Sequence, residues 1–338
     1  MPDIKLIQPL NGSVTEPLQQ HSWPAPPLPQ DDSEAEREDR SLPRAVSFAW
    51  EAPSVENGSI AYDLLISRHP DFQDPLKLAD LTEPRAEVAH LFVDTPYAWK
   101  VIARDAGQPL AESPVWRFTT HRATPRWIGV PGITNVRDLG GWPLPDNRAV
   151  RQGMVYRSSQ LNSSWPITQE GKDILVDQLG IRTDLDIRWS DQEETEPVLD
   201  PTRVQWINIP ILGYGRICED EDRENYPRVF EVFAQESNYP ILFHCAAGAD
   251  RAGTVAFMLK ALLGVAEADL YCDYELTTLS GSGERSCSSE GFQGLLEALV
   301  PFGDRFVEKA ENYLLSTGVS AAQIAAIRDL LIVERQDS

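Results

Sequence analysis

The stretch HCAAGADRAGT, residues 244–254, sets a cysteine and an arginine six positions apart with almost no side-chain bulk between them. It follows YPILFH, an apolar run of strand character that ends at Cys245. It leads into AGTVAFMLKALLG, whose near-continuous apolar character and terminal Gly264 predict a buried helix. A strand that turns sharply into a helix brings backbone N–H groups together at the positive end of the helix dipole. Such a turn suits a phosphate-sized anion.

The residue types fit that use. Ala246, Ala247, Gly248 and Ala249 leave room for an oxyanion to reach the backbone amides, and the planar fork of Arg251 can take two of its oxygens. Cys245 would then sit beneath the anion, where converging dipoles and a cation favour the thiolate. The expected chemistry is phosphoryl transfer through a covalent phosphocysteine, with the arginine and amides stabilising the equatorial oxygens.

Outward from this loop, strands and helices alternate. TQEGKDILVDQLG predicts a helix capped by Thr168 and stopped by Gly180. In the following IRTDLDIRW, residues 181, 183, 185, 187 and 189 are expected on one strand face and 182, 184, 186 and 188 on the other. VQWINIPI reads as a strand, GYGRICEDEDRENYP as a loop, and RVFEVFAQ as a helix. The pattern predicts an α/β domain with a mostly parallel central sheet flanked by helices.

The first part of the chain differs. Val46, Phe48 and Trp50 alternate, as do Tyr62, Leu64 and Ile66, then Tyr97, Trp99, Val101 and Ala103, then Trp116 and Phe118. That is the pattern of half-buried antiparallel strands. Between IKLIQPL and AVSFAW, the stretch PAPPLPQDDSEAEREDRSLP is too rich in proline and charge to bury much surface.

Composition bounds the whole. A chain of 338 residues can hold two domains, and 42% hydrophobic residues with nine tryptophans are globular values. A net charge of −22 argues against nucleic acid and broad acidic membrane surfaces as partners. No apolar run has the length of a membrane span, and MPDIKLIQPLNGSV has no signal-peptide core. The default expectation is therefore a cytoplasmic protein, or an exported one if a signal was removed. Four scattered cysteines show neither metal-type pairing nor a disulfide framework. Structural zinc is not expected.

The 244–254 stretch resembles the signature of the protein tyrosine phosphatase superfamily: His-Cys, five residues, Arg. ITNVRDLGGW, VYRSSQL, DLDIRWSDQEE and LLGVAEADLYCDYELT resemble, in the same order, segments of its bacterial branch, which includes the mycobacterial lipid and tyrosine phosphatase. A bacterial origin is expected on that ground. The segments VSFAWEAP, AYDLLISR, YAWKVIARDAG and VWRFTT resemble a fibronectin type III module, a β-sandwich class that mostly binds or spaces. The expected domains are a fibronectin type III-like sandwich at 1–121 and a cysteine-dependent phosphatase domain at 122–338.

The resemblance implies Cys245 as nucleophile and Arg251 with the amides of 246–251 as the phosphate cradle, with no metal or organic cofactor. Two departures stand out. Ala252 replaces the usual Ser or Thr, whose hydroxyl helps release the phosphoenzyme, and Ala249 stands where the bacterial branch favours lysine. IPILGYG also lacks the aspartate that the superfamily usually carries upstream to protonate the leaving group.

Asp250, inside the loop, is the first candidate acid, with a purely structural role open beside it. Asp220 and Asp222 follow, although their acidic run also reads as a solvated loop. His244 is a packed strand-end residue or a tuner of the thiolate. Arg137 and Asp138 are expected to pair as supports of the loop, with Arg157 beside them. TLSGSGERSCSSEG is a lid or an inert surface loop, and Cys272 and Cys287 are incidental thiols.

The expected substrate is a phosphorylated protein or peptide, most directly phosphotyrosine, with dual specificity open and a protein partner possible through the first domain. The competing readings are a catalytically weak phosphate-recognition module and a phosphoinositide phosphatase. Rhodanese-type sulfur transfer would not require the spacing to Arg251.

Overall fold

The computed structural model describes residues 3–21, 39–53, 60–163, 166–190 and 195–335. Most of the proline- and charge-rich stretch before AVSFAW lies outside them, as do residues 191–194 of the DLDIRWSDQEE segment. The chain divides into two compact units, one from residues 1–19 and 43–124, the other from 20–42 and 125–335.

In the first unit the alternating residues form two sheets around one core. The strands are β1 (Lys5–Gln8), β2 (Ser13–Val14), β3 (Val46–Glu51), β4 (Ile60–Ser67), β5 (Leu76–Leu81), β6 (Arg85–Val88), β7 (Pro96–Asp105), β8 (Gln108–Glu112) and β9 (Trp116–Thr119). One sheet has the order β1-β3-β6. The other runs β2-β9-β7-β4-β5, with β8 paired to β7. Phe48, Trp50, Tyr62, Leu64, Trp99, Val101 and Phe118 are buried together, as period-two alternation requires of strands with one face on a core. Phe48 meets Trp99 edge-on, with ring centroids 5.1 Å apart. Among the described residues, the one charged group in this interior, Asp63, is paired with Lys77 at 2.9 Å and Arg104 at 2.7 Å.

The second unit is built on a five-stranded sheet. Its strands are β10 (Arg137–Asp138), β13 (Val155–Ser158), β14 (Thr183–Asp186), β15 (Gln205–Asn208) and β16 (Ile241–His244), in the order β10-β13-β16-β14-β15. The last four pair in parallel, while β10 runs antiparallel to β13. A second, antiparallel sheet joins β11 (Pro143–Leu144), β12 (Arg148–Val150) and β17 (Ile332–Glu334). The arrangement is therefore mixed and departs from the mostly parallel sheet expected. Residues 137–158 return by short turns, with Asp146 and Asn147 in the left-handed region, and short turns can join only antiparallel neighbours.

Thr183 to Asp186 are all buried, because β14 lies inside the sheet; Asp184 is paired with His244 and Asp186 with Arg188. One local expectation is corrected. The helix expected at RVFEVFAQ begins earlier. A 3₁₀ turn at Tyr214–Cys218 precedes α2, Asp220–Ala234, whose first turn holds three acidic residues at the positive end of the helix dipole.

Upstream, α1 (Gln169–Asp173) is capped by Thr168 Oγ1, which accepts from the Gly171 amide, and it continues as a π-helical turn over Ile174–Gln178. After β16 comes α3 (Asp250–Leu263), buried from Ala252 through Leu263 and closed by Gly264 in left-handed geometry. A helix buried all round can be apolar all round, which is how its sequence reads. Around it pack α4 (Glu267–Glu275), α5 (Glu290–Leu299), α6 (Phe306–Thr317) and α7 (Ala321–Leu331).

Candidate active site

Cys245 follows the last residue of β16 and is 2% exposed, and the chain from Ala246 to Ala249 turns into the first turn of α3. Four consecutive carbonyl groups of this turn are engaged from outside it. The Gln160 amide donates to Ala246 O at 3.0 Å. Asn135 Nδ2 donates to Ala247 O at 3.2 Å and to Gly248 O at 2.9 Å. Arg157 Nη2 donates to Gly248 O at 2.6 Å and to Ala249 O at 3.1 Å.

In a trans peptide the N–H points opposite to the preceding C=O, so carbonyls drawn outward turn the amides of 247–250 inward. The next carbonyl, Asp250 O, accepts from Thr254 Oγ1 one helical turn on, which aims the Arg251 amide back at the same hollow. The backbone of 247–251 thus forms a concave set of donors at a helix N-terminus, suited to an anion.

Gly248 makes this path possible. Its φ is +65°, and a Cβ built there would lie 2.4 Å from Ser158 O and 2.7 Å from the Ser159 amide nitrogen. The turn therefore lies backbone to backbone against the end of β13. Asn135, also left-handed at φ +60°, is of a type that tolerates that conformation and spends its side-chain amide on the turn.

Beneath lies a buried ion cluster. The Asp273 carboxylate takes Arg137 Nε at 2.9 Å, Arg157 Nη1 at 3.3 Å and Lys260 Nζ at 2.6 Å, and all four side chains are at most 4% exposed. Burial alone would raise the Asp273 pKa, but the three cations hold it far below the carboxylate range. Burial lowers both cations, and like charges add to it: Lys260 is pushed down to about 8, and Arg157 is also lowered. Three cations share one carboxylate, so the cluster carries excess positive charge beneath the amide hollow.

Arg137 and Asp138 do not pair with each other as expected. Arg137 turns to Asp273, while Asp138 accepts from Arg126 Nη2 at 2.8 Å and from the Gly153 and Gly140 amides at 2.7 and 2.8 Å. Neighbours on a strand point to opposite faces, which sends the two side chains to different partners. His244 is buried with Nε2 3.0 Å from Asp184 Oδ1 and Nδ1 3.9 Å from Asp186 Oδ1. Burial lowers its pKa, but the two carboxylates outweigh burial and leave it raised.

At the rim, Asp250 accepts from Arg285 Nε at 2.9 Å and Nη2 at 3.3 Å, and from the Tyr214 hydroxyl. Tyr214 OH in turn lies 2.6 Å from Tyr274 OH. The serine- and glycine-rich stretch therefore delivers Arg285 to the loop. Asp222 is no part of a solvated loop. It is fully buried, and its carboxylate accepts from the Leu212 and Gly213 amides at 2.7 and 3.1 Å. Burial raises its pKa to about 6. Asp222 holds the turn whose Gly213 lies against Arg251, where an added Cβ would be 3.2 Å from the Arg251 Cα. Burial pushes up the Cys287 thiol and raises that of Cys272 to about 12.

The sequence model of the tyrosine phosphatase family matches residues 128–333, the stretch that holds Cys245, Arg251 and the Asp273 ion cluster. The chain belongs to the tyrosine phosphatase family.

A protein of Cupriavidus necator named as a candidate tyrosine-protein phosphatase is 30% identical over 168 residues, covering 42% of this chain and 59% of that protein. A tyrosine-protein phosphatase of Nostoc commune is 26% identical over 145 residues, covering 37% of this chain and 49% of that protein. The chain thus spans about half the length of the curated relatives it matches. Among solved structures, the core catalytic domain of the PP-IP phosphatase of S. cerevisiae, in complex with citrate, is 18% identical. It covers 46% of this chain and 86% of that one, with a TM-score of 0.33. That likeness is too shallow to carry an argument.

For a tyrosine phosphatase family member, several residues of this site escaped sequence reading. Asn135, Lys260 and Asp273 lie far apart in the chain and meet only through the fold. Asn135 and Asp273 do fall inside ITNVRDLGGW and LLGVAEADLYCDYELT, so those two segments marked the place without marking the residue. Tyr214, Tyr274 and Arg285 had no chemical pattern to reveal them.

Proposed function

We propose that this protein hydrolyses phosphomonoesters through a phosphocysteine on Cys245, with phosphotyrosine as its foremost substrate. The observation that carries this reading is the set of four carbonyls, from Ala246 to Ala249, held outward by Gln160, Asn135 and Arg157. That set leaves inward amides beside a buried cysteine. In the proposed reaction the Cys245 thiolate attacks phosphorus and the ester P–O bond breaks. The departing oxygen takes a proton from Asp250. Water then attacks the phosphocysteine, Asp250 takes the water's proton, and phosphate leaves with the thiolate restored. Arg251 and the amides of Ala246 to Arg251 hold the equatorial oxygens throughout.

In this reading Asp250 carries a proton when the ester bond breaks, and Arg285 and the Tyr214 hydroxyl hold its carboxyl in place. The first unit is proposed to be a fibronectin type III-like domain that binds or spaces, based on its two antiparallel-rich sheets and aromatic core.

The deciding experiment is Cys245→Ser. It should abolish hydrolysis of an aryl phosphate while tungstate still binds; full turnover in this variant would eliminate the mechanism. A panel of phosphotyrosine, phosphoserine and inositide substrates then fixes the class, since a deep cleft admits only the long aryl ester.

A further inference from the structure

We infer that Tyr214 is a positioning residue for leaving-group protonation, its hydroxyl holding the Asp250 carboxyl at the rim of the amide hollow. The inference rests on the reading of Asp250 as the acid and adds the group that aims it.

Tyr214 is placed with unusual care. Its φ is +53°, a left-handed conformation that a bulky residue rarely adopts, and such conformations persist only where surrounding contacts impose them. Here the contacts are visible. The Tyr214 amide donates to Thr254 Oγ1 at 2.9 Å, and the two preceding amides donate to buried Asp222. The ring lies against Gly291, where an added Cβ would come within 3.2 Å of it. Both anchors, Thr254 on α3 and Asp222 on α2, belong to the packed interior, so the hydroxyl is fixed relative to the loop.

The groups facing Asp250 are Arg285 and Tyr214. Tyr274 stands behind Tyr214, and Ser289 hydrogen-bonds Tyr274. Burial, then the hydrogen bonds to Asp250 and Tyr274, hold the Tyr214 phenol far above its usual pKa. It therefore stays protonated and cannot itself be the titrating acid. The hydrogen bond from this phenol fixes the direction of the Asp250 carboxyl.

The test compares Tyr214→Phe and Asp250→Asn on phenyl phosphate, a poor leaving group, and 4-nitrophenyl phosphate, a good one. Y214F should lose about tenfold to a hundredfold in kcat/KM on phenyl phosphate and no more than about threefold on 4-nitrophenyl phosphate. Its KM for both esters should stay within about threefold, so that the loss falls on kcat. D250N should show the same leaving-group contrast, more strongly. If D250N shows the contrast and Y214F slows both esters equally, the inference is overturned and the Asp250 reading stands. If D250N itself slows both equally, both fall. Should Y214F lose tungstate binding, Tyr274→Phe, which removes the hydroxyl behind Tyr214, carries the same comparison.

Discussion

Arg157 joins two layers of the site: one nitrogen of its guanidinium lies 2.6 Å from the Gly248 carbonyl oxygen and the other 3.3 Å from the Asp273 carboxylate. The shape of the loop and the charge beneath it are thus held by one planar group. A lysine could not reproduce the two directions.

Arg157→Met should therefore do more than remove a charge. With Gly248 O and Ala249 O deprived of this donor, stability should fall by about 1–3 kcal/mol. Misplaced amides should cost about a hundredfold in kcat/KM. Denaturant titration and steady-state kinetics on an aryl phosphate check the two effects separately; unchanged kinetics would show that Asn135 and the Gln160 amide suffice to shape the loop.

Gly248→Ala tests the close approach to β13. The added methyl would meet Ser158 O at 2.4 Å with φ at +65°, so the turn must move away from the strand. Tungstate affinity measured by calorimetry should drop by about a hundredfold or more, because the converging amides lose their common centre. Retained affinity would mean that the strand yields instead.

Lys260 makes the site sensitive to alkali. Its folded pKa is about 8 against 10.5 for an ordinary lysine. Between those values the unfolded chain binds more protons than the folded one, so this residue's contribution makes stability rise with pH by up to about 3 kcal/mol. A bound dianion favours the ammonium, so tungstate affinity should fall as pH climbs past 8. Lys260→Met should flatten both dependences in the difference from wild type. Parallel slopes in the two proteins would locate the effect elsewhere.

In the proposed reaction, Ala252 bears on the second half-reaction. It is fully buried on the first turn of α3, and the nearby Thr254 hydroxyl is already spent between Asp250 O and the Tyr214 amide. Ala252→Ser should speed phosphoenzyme breakdown severalfold, read as a smaller burst and a larger kcat on 4-nitrophenyl phosphate. A burst of unchanged size and rate would make breakdown independent of this position.

How much the sequence disclosed follows from how local each signal is. A strand, a run of small residues and a helix form a continuous piece of chain, so the turn at 245–251 could be located from its residues alone. The alternation at Val46, Phe48 and Trp50 is equally local, and those side chains are buried. Asp222 misled because an acidic run reads as solvent-facing. Only the fold shows that one of its members turns inward to two backbone amides. Asp273, which lies 136 positions from Arg137, had no local pattern at all.

The surplus of buried guanidinium and ammonium around Asp273 has a practical consequence at the bench. A socket charged in this way will draw in whichever small polyatomic anion the solution offers. Phosphate or sulfate buffers should thus behave as competitive inhibitors, and kinetic constants taken in them will understate what the protein does in a neutral amine buffer.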